Sequence, residues 1–212
     1  MDYIYAKNFI DYLENASPIE IDELIKKLID YINSEIECSE RSECTRNVFL
    51  NKFDSVEKNC SKNSLLKDSA RVKILLNKCK GIFEHLPEKF ILPIGHCHGD
   101  LTFSNILFTS NTLYLIDYLD SFIETPLQDI VKIRQDTKYH WSTMMYQKNY
   151  DHVRLNMILN FIDNKIDEAF SKYDEYNSYY EILQLMNILR ILPYVKEERV
   201  RDFVLNIIES LV

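Results

Sequence analysis

The sequence predicts a mainly α fold of the α+β kind, with helices set around a small central β-hairpin. Three observations predict it. Apolar residues recur at helical spacing over long stretches on both sides of residue 100. Short β-favouring runs are confined to 105–117, and no repeat or Gly/Ser/Pro-rich linker divides the chain. We therefore expect a single domain over 1–212, with loops that carry chemistry at 96–117 and a helical, substrate-side region at 126–212.

The elements follow in order. In "SPIEIDELIKKLIDYINSEIE", Ser17 is a candidate N-cap, Pro18 occupies the first helical position and Glu20 completes a capping box. Ile21, Leu24, Ile25, Leu28, Ile32 and Ile36 then form one apolar face. Residues 38–47, "CSERSECTRN", are polar and read as an exposed loop. A second long helical pattern covers 62–83, and nothing in 1–95 reads as sheet. "NILF" (105–108) and "TLYLID" (112–117) are the strand candidates, separated by a "TSN" turn. Helix resumes near Pro126 with "PLQDIVKIRQDTKYHW". Three further helical patterns follow, in "HVRLNMILNFIDNKIDEAF", "YYEILQLMNILRILPYV" and "EERVRDFVLNIIESLV".

Composition narrows the functional classes. The 212 residues, 46% hydrophobic and 27% charged, suit an ordinary globular protein with a real core. A net charge of −8 argues against a general nucleic-acid binder, although an anionic nucleotide can bind where metal ions screen its phosphates. No apolar run approaches the roughly 20 residues that cross a bilayer. The acidic, interrupted N-terminus does not read as a signal peptide. Five scattered cysteines suit free thiols better than a disulfide framework, so we expect a cytoplasmic protein.

The chemistry concentrates in "HCHGDLTFSN", residues 96–105. Phosphoryl transfer needs a carboxylate to accept the proton of the attacking hydroxyl and oxygen ligands that hold Mg²⁺ against nucleotide phosphates. Asp100 lies in a loop ahead of a strand. Asn105, five residues on, can curl back toward it, and Asp117 ends the returning strand. Such oxygen donors suit a hard cation. Each residue alone also fits a turn or cap role. A zinc site on His96, Cys97 and His98 is the competing idea, but alternation along an extended segment sends Cys97 away from the two histidines.

"HGDLTFSN", then "LYLIDYLDS", then "PLQDIVKI" resembles the aminoglycoside phosphotransferase and choline kinase family, relatives of the protein kinases. The match covers about 96–135; the rest is more loosely similar to that family's C-terminal lobe. The resemblance implies Asp100 as catalytic base, Asn105 and Asp117 as metal ligands, and His98 as the loop's brace. It implies Asp129 as a helix aspartate steadying the loop, although a carboxylate favoured by the helix dipole is the plainer alternative. Mg²⁺ and ATP (or another NTP) are the implied cofactor and donor. Asp120, Arg134, Asp136 and Trp141 become candidate contacts to a small hydroxylated acceptor. For "RQDTKYHW" a solvated helix end is the competing description.

"MDYIYAKNFIDYL" resembles the point where such kinases leave the hinge, which would set Tyr3 and Ile4 beside the adenine; a frayed N-terminus is the plainer alternative. The departures are as plain as the match. Gly81, Gly95 and Gly99 are the three glycines, so there is no Gly-rich loop, and no Val-Ala-Ile-Lys-like strand occurs. Two readings follow. One is an ATP-dependent kinase of a sugar, amino alcohol or aminoglycoside. The other is a non-catalytic kinase-like lobe, acting as a binding module or covered by a partner chain or a second copy. Neither involves nucleic acid or membrane.

Overall fold

Ser17 opens the long helix as its chemistry dictates. Its Oγ accepts the Glu20 N–H at 3.3 Å, and Glu20 Oε2 accepts the Ser17 N–H at 2.7 Å. These two bonds satisfy donors that a helix start otherwise leaves open. The resulting helix α2 (Pro18–Cys38) buries Ile21, Leu24, Ile25, Leu28, Ile32 and Ile36, the face that the spacing predicts. The computed structural model describes residues 7–109, 112–146 and 149–212. It is mainly helical, with two small sheets among the described residues, so the expected fold class holds.

The chain divides into two compact units, Met1–Glu40 with Pro93–Asn177, and Arg41–Leu92 with Ser178–Val212. The stretch 126–212 is thus shared between them. In the first unit, α1 (Phe9–Asn15) buries Phe9, Ile10 and Leu13. Strands β3 (Ile106–Phe108) and β4 (Leu113–Leu115) form the antiparallel hairpin, with Ile106 opposite Leu115 and Phe108 opposite Leu113. Residues 110 and 111 of the expected turn lie outside the described residues. Helix α5 (Leu127–Thr137) is buried at all eleven positions. It ends before the predicted "KYHW", because His140 turns into the left-handed region (φ 57°) and a 3-10 helix, Trp141–Met145, follows. Helix α6 (His152–Phe170) starts on the Asp151 cap and packs against α1, α2 and α5.

The second unit corrects the reading of the first half. Residues 40–45 are not a loop: β1 (Glu40–Thr45) pairs with β2 (Lys89–Ile94), most of both strands lying in this unit. Its "ERSECT" sequence is polar and half exposed, so pairing comes from the backbone and leaves no apolar alternation to read. Between the strands lie α3 (Asn47–Cys60) and α4 (Ala70–Glu84), the latter starting at the Ser69 cap rather than at 62. Phe49, Phe53, Val56 and Cys60 bury the inner face of α3. Helix α7 (Asp174–Leu189) enters this unit from the first, and α8 (Glu198–Ser210) packs on α4. All five cysteines are free. Among the described residues, no helix is long and apolar enough to cross a membrane.

The two kinds of support in α2 separate by magnitude. Leu28, 1% exposed, is expected to cost about 2–5 kcal/mol on truncation to alanine. Ser17→Ala, which removes only the cap, is expected to cost about 1 kcal/mol. Urea unfolding of the two variants checks the order.

Candidate active site

One face of α5 is written in charge. Asp129, Lys132 and Asp136 stand at positions i, i+3 and i+7, so they line one side of the helix. All three are buried. Each meets a successive part of the 98–103 loop. Asp129 Oδ2 accepts the His98 N–H at 2.8 Å and its Oδ1 accepts the Gly99 N–H at 2.9 Å. Lys132 Nζ lies 3.0 Å from Asp100 Oδ1. Asp136 Oδ2 accepts the Phe103 N–H at 2.7 Å, while its Oδ1 accepts the Ser142 N–H at 2.9 Å. Backbone donors that the loop cannot satisfy internally are met by the helix.

The loop's own residues complete the geometry. Gly99 has φ 78°, and a Cβ there would lie 1.9 Å from the Leu119 carbonyl oxygen. That close approach exists because the Leu119 N–H donates back to the His98 carbonyl at 3.0 Å. Only glycine fits both demands. Asn105 Nδ2 donates to the Asp100 main-chain oxygen (2.8 Å) and to Asp100 Oδ2 (3.0 Å). The Asn105 carbonyl in turn accepts the Ile116 N–H at 3.1 Å, which ties the hairpin to the loop. Asp117 follows at φ 59°, exposed, a conformation that aspartate adopts more readily than most side chains.

His98 is fully buried and stacks on Tyr118, with ring centroids 4.2 Å apart. Burial lowers its pKa, opposed by the Ile116 backbone and by the charges of Asp100 and Asp117. The neutral ring is what lets Nδ1 accept the Asp100 N–H, at 3.4 Å. Burial also raises the pKa of both α5 carboxyls. Asp129 is pushed to about 7, with the His98 and Gly99 N–H groups pulling the other way. Asp136 is pushed to about 6, against bonds from Ser142 and Phe103 and the charge of Lys132.

The remaining candidates separate by environment. Asn105 and Asp117 bring oxygen donors to the end of the loop, and an Asn105 amide turned with Nδ2 toward Asp100 leaves Oδ1 as its donor to a cation. Among the described residues, no three of His, Cys, Asp and Glu converge to hold a metal. A hard cation held by Asn105 and Asp117 would have to take its other ligands from phosphates and water. Arg134 is buried against Asp163, Asp167 and Tyr176. Arg134 and Asp136 are thus buried with partners inside the chain, which corrects the picture of a solvated helix end. Trp141 lines a cavity of about 440 Å³ with Phe9, Phe103, Ser104, Ser142 and Tyr146. Asp120 is exposed beside the loop, and Tyr3 and Ile4 lie outside the described residues. His96 pairs with Glu35 at 3.1 Å, and the buried Cys97 thiol faces Glu124. Lys132 is the residue that sequence reasoning passed over. Its signal was the three-residue offset from Asp129.

No family model matches the chain, and no curated protein matches it. Among solved structures, a glucosamine kinase (crystal form B) has a similar fold, with a TM-score of 0.64 at 10% sequence identity. The match covers 96% of this chain and 57% of that one. The likeness is one of fold, which in this chain is mainly α with two small sheets among the described residues. This chain spans little more than half of the kinase's length.

The buried carboxyls give a pH dependence of known sign. Asp129 and Asp136 hold protons more tightly folded than unfolded, so the folded state binds more protons between about pH 4 and 7. Their contribution to stability is full below about 4 and is lost as pH rises through about 6 and then 7. Urea midpoints measured across this window should fall with rising pH, and Asp129→Asn should flatten the slope.

Proposed function

We propose that the chain is a phosphotransferase that moves the γ-phosphoryl group of ATP, or of another NTP, to a hydroxyl of a small molecule. The observation that carries this reading is the setting of Asp100. Its side chain is 29% exposed, its loop backbone is fixed by Asp129, and its Oδ2 is oriented by Asn105. A carboxylate so held suits a base that meets a substrate hydroxyl. The resemblance of 96–135 to the aminoglycoside phosphotransferase and choline kinase family supports the same role. The glucosamine kinase fold favours a sugar as acceptor, with amino alcohols and aminoglycosides as related classes. The aromatic cavity beside the loop has room for a sugar ring, with Ser104 and Ser142 at its wall.

In this reaction Asp100 takes the proton of the acceptor hydroxyl as its oxygen bonds to the γ-phosphorus. The bond from that phosphorus to the β,γ-bridging oxygen breaks, and the nucleoside diphosphate leaves. Asn105 and Asp117 would hold the Mg²⁺, whose charge offsets that on the phosphoryl oxygens. Asp129 and Asp136 keep the loop backbone in place, and His98 fills the space behind it. A cytoplasmic setting fits the nucleotide chemistry and the free thiols.

One observation favours a second reading. The sequence holds neither a Gly-rich loop nor a Val-Ala-Ile-Lys-like strand, as would suit a kinase-like lobe that binds ligands without turnover or that needs a partner chain to act.

The readings part on activity. Nucleoside diphosphate release from MgATP should appear with one class among glucosamine, choline and an aminoglycoside. Asp100→Asn should slow it about 10²–10⁴-fold with the fold intact. Asp117→Asn should abolish Mg²⁺-dependent nucleotide binding without unfolding the chain. Undiminished turnover in Asp100→Asn would remove Asp100 from the role of base.

A further inference from the structure

A buried lysine on a helix that packs through Ile130, Val131 and Ile133 needs a reason. Those three neighbours are buried without desolvation cost. The Lys132 side chain, 10% exposed, carries its ammonium out of water, which is unfavourable unless a fixed opposite charge receives it. The charge that receives it is the Asp100 carboxylate, at 3.0 Å. Asp136, one turn further along, feels the same ammonium.

The geometry of Asp100 shows what this pairing does. Lys132 engages Oδ1, and Asn105 engages Oδ2 together with the main-chain oxygen of the same residue. A carboxylate held at both oxygens, one from the helix and one from its own loop, has lost its rotational freedom. The same helix that fixes the loop backbone through Asp129 therefore also fixes the plane of the carboxylate. The face of Asp100 that remains exposed is the one left for a ligand.

We propose that Lys132 is the positioning residue of the phosphoryl transfer, holding Asp100 by charge and by hydrogen bond in the orientation that meets the acceptor hydroxyl. The inference rests on the phosphotransferase reading above and adds to it a residue that neither the motif nor the comparisons assign. Lys132 does not touch the reacting atoms in this account. It acts through Asp100, at the distance where a misplaced base is expensive in rate.

The test is a double-mutant cycle on the full chain, using the acceptor that supports turnover. Lys132→Met should lower kcat about 10²-fold with KM for acceptor and ATP unchanged. Lys132→Arg should recover part of that loss. Because the two residues act as a unit, Lys132→Met with Asp100→Asn should be no slower than Asp100→Asn alone. If Lys132→Met does not fold, Lys132→Gln, which keeps an N–H donor without the charge, carries the same comparison. A kcat for Lys132→Met within about threefold of wild type, with Asp100→Asn inactive, overturns this inference alone. So does a loss confined to KM or to Tm. Turnover that survives Asp100→Asn, or a wild-type chain inactive toward every acceptor, overturns the phosphotransferase reading and takes this inference with it.

Discussion

The loop at 98–103 exists in its observed shape because α5 supplies what its backbone lacks. Three consecutive side chains on one helical face meet it: a carboxylate on two N–H groups, an ammonium on a carboxylate, and a second carboxylate on one more N–H. Buried charges of this kind are unfavourable in isolation. They persist here because each is matched to a group that would otherwise be unsatisfied. The Gly99 turn, the Asn105 return and the attachment of the hairpin all build on that register.

The arrangement has an energetic consequence. Asp129 and Asp136 sit where desolvation opposes ionisation, yet each accepts two backbone N–H bonds that favour it. Protonation would turn one oxygen of Asp129 from acceptor into donor, facing an N–H.

Much of this was legible in the sequence, and what was missed has physical reasons. Ser17, Pro18 and Glu20 announced α2 because capping is local chemistry, and its six buried residues followed from period alone. The loop was visible because Asp100, Asn105 and Asp117 keep a spacing that a backbone can close. The polar strand β1 was invisible because its partner lies some fifty residues away and neither face is strongly apolar. Lys132 was passed over, and the setting of Arg134 and Asp136 misjudged, for the opposite reason. Charged residues on a helix suggest solvent, and only the tertiary fold shows that a loop, or the Asp163 and Asp167 carboxylates, receives them. The division into two units was likewise hidden, since the second is assembled from two separated stretches of chain.

The central proposal is that the Asp100 loop, held by α5, works on nucleotide phosphates. Calorimetric titration of the chain with ATP, in the presence and absence of Mg²⁺, tests it most directly. The account predicts saturable binding that requires the metal, because Asn105 and Asp117 would hold it with oxygen donors that phosphates complete. Binding indifferent to Mg²⁺, or none at millimolar ATP, would contradict it.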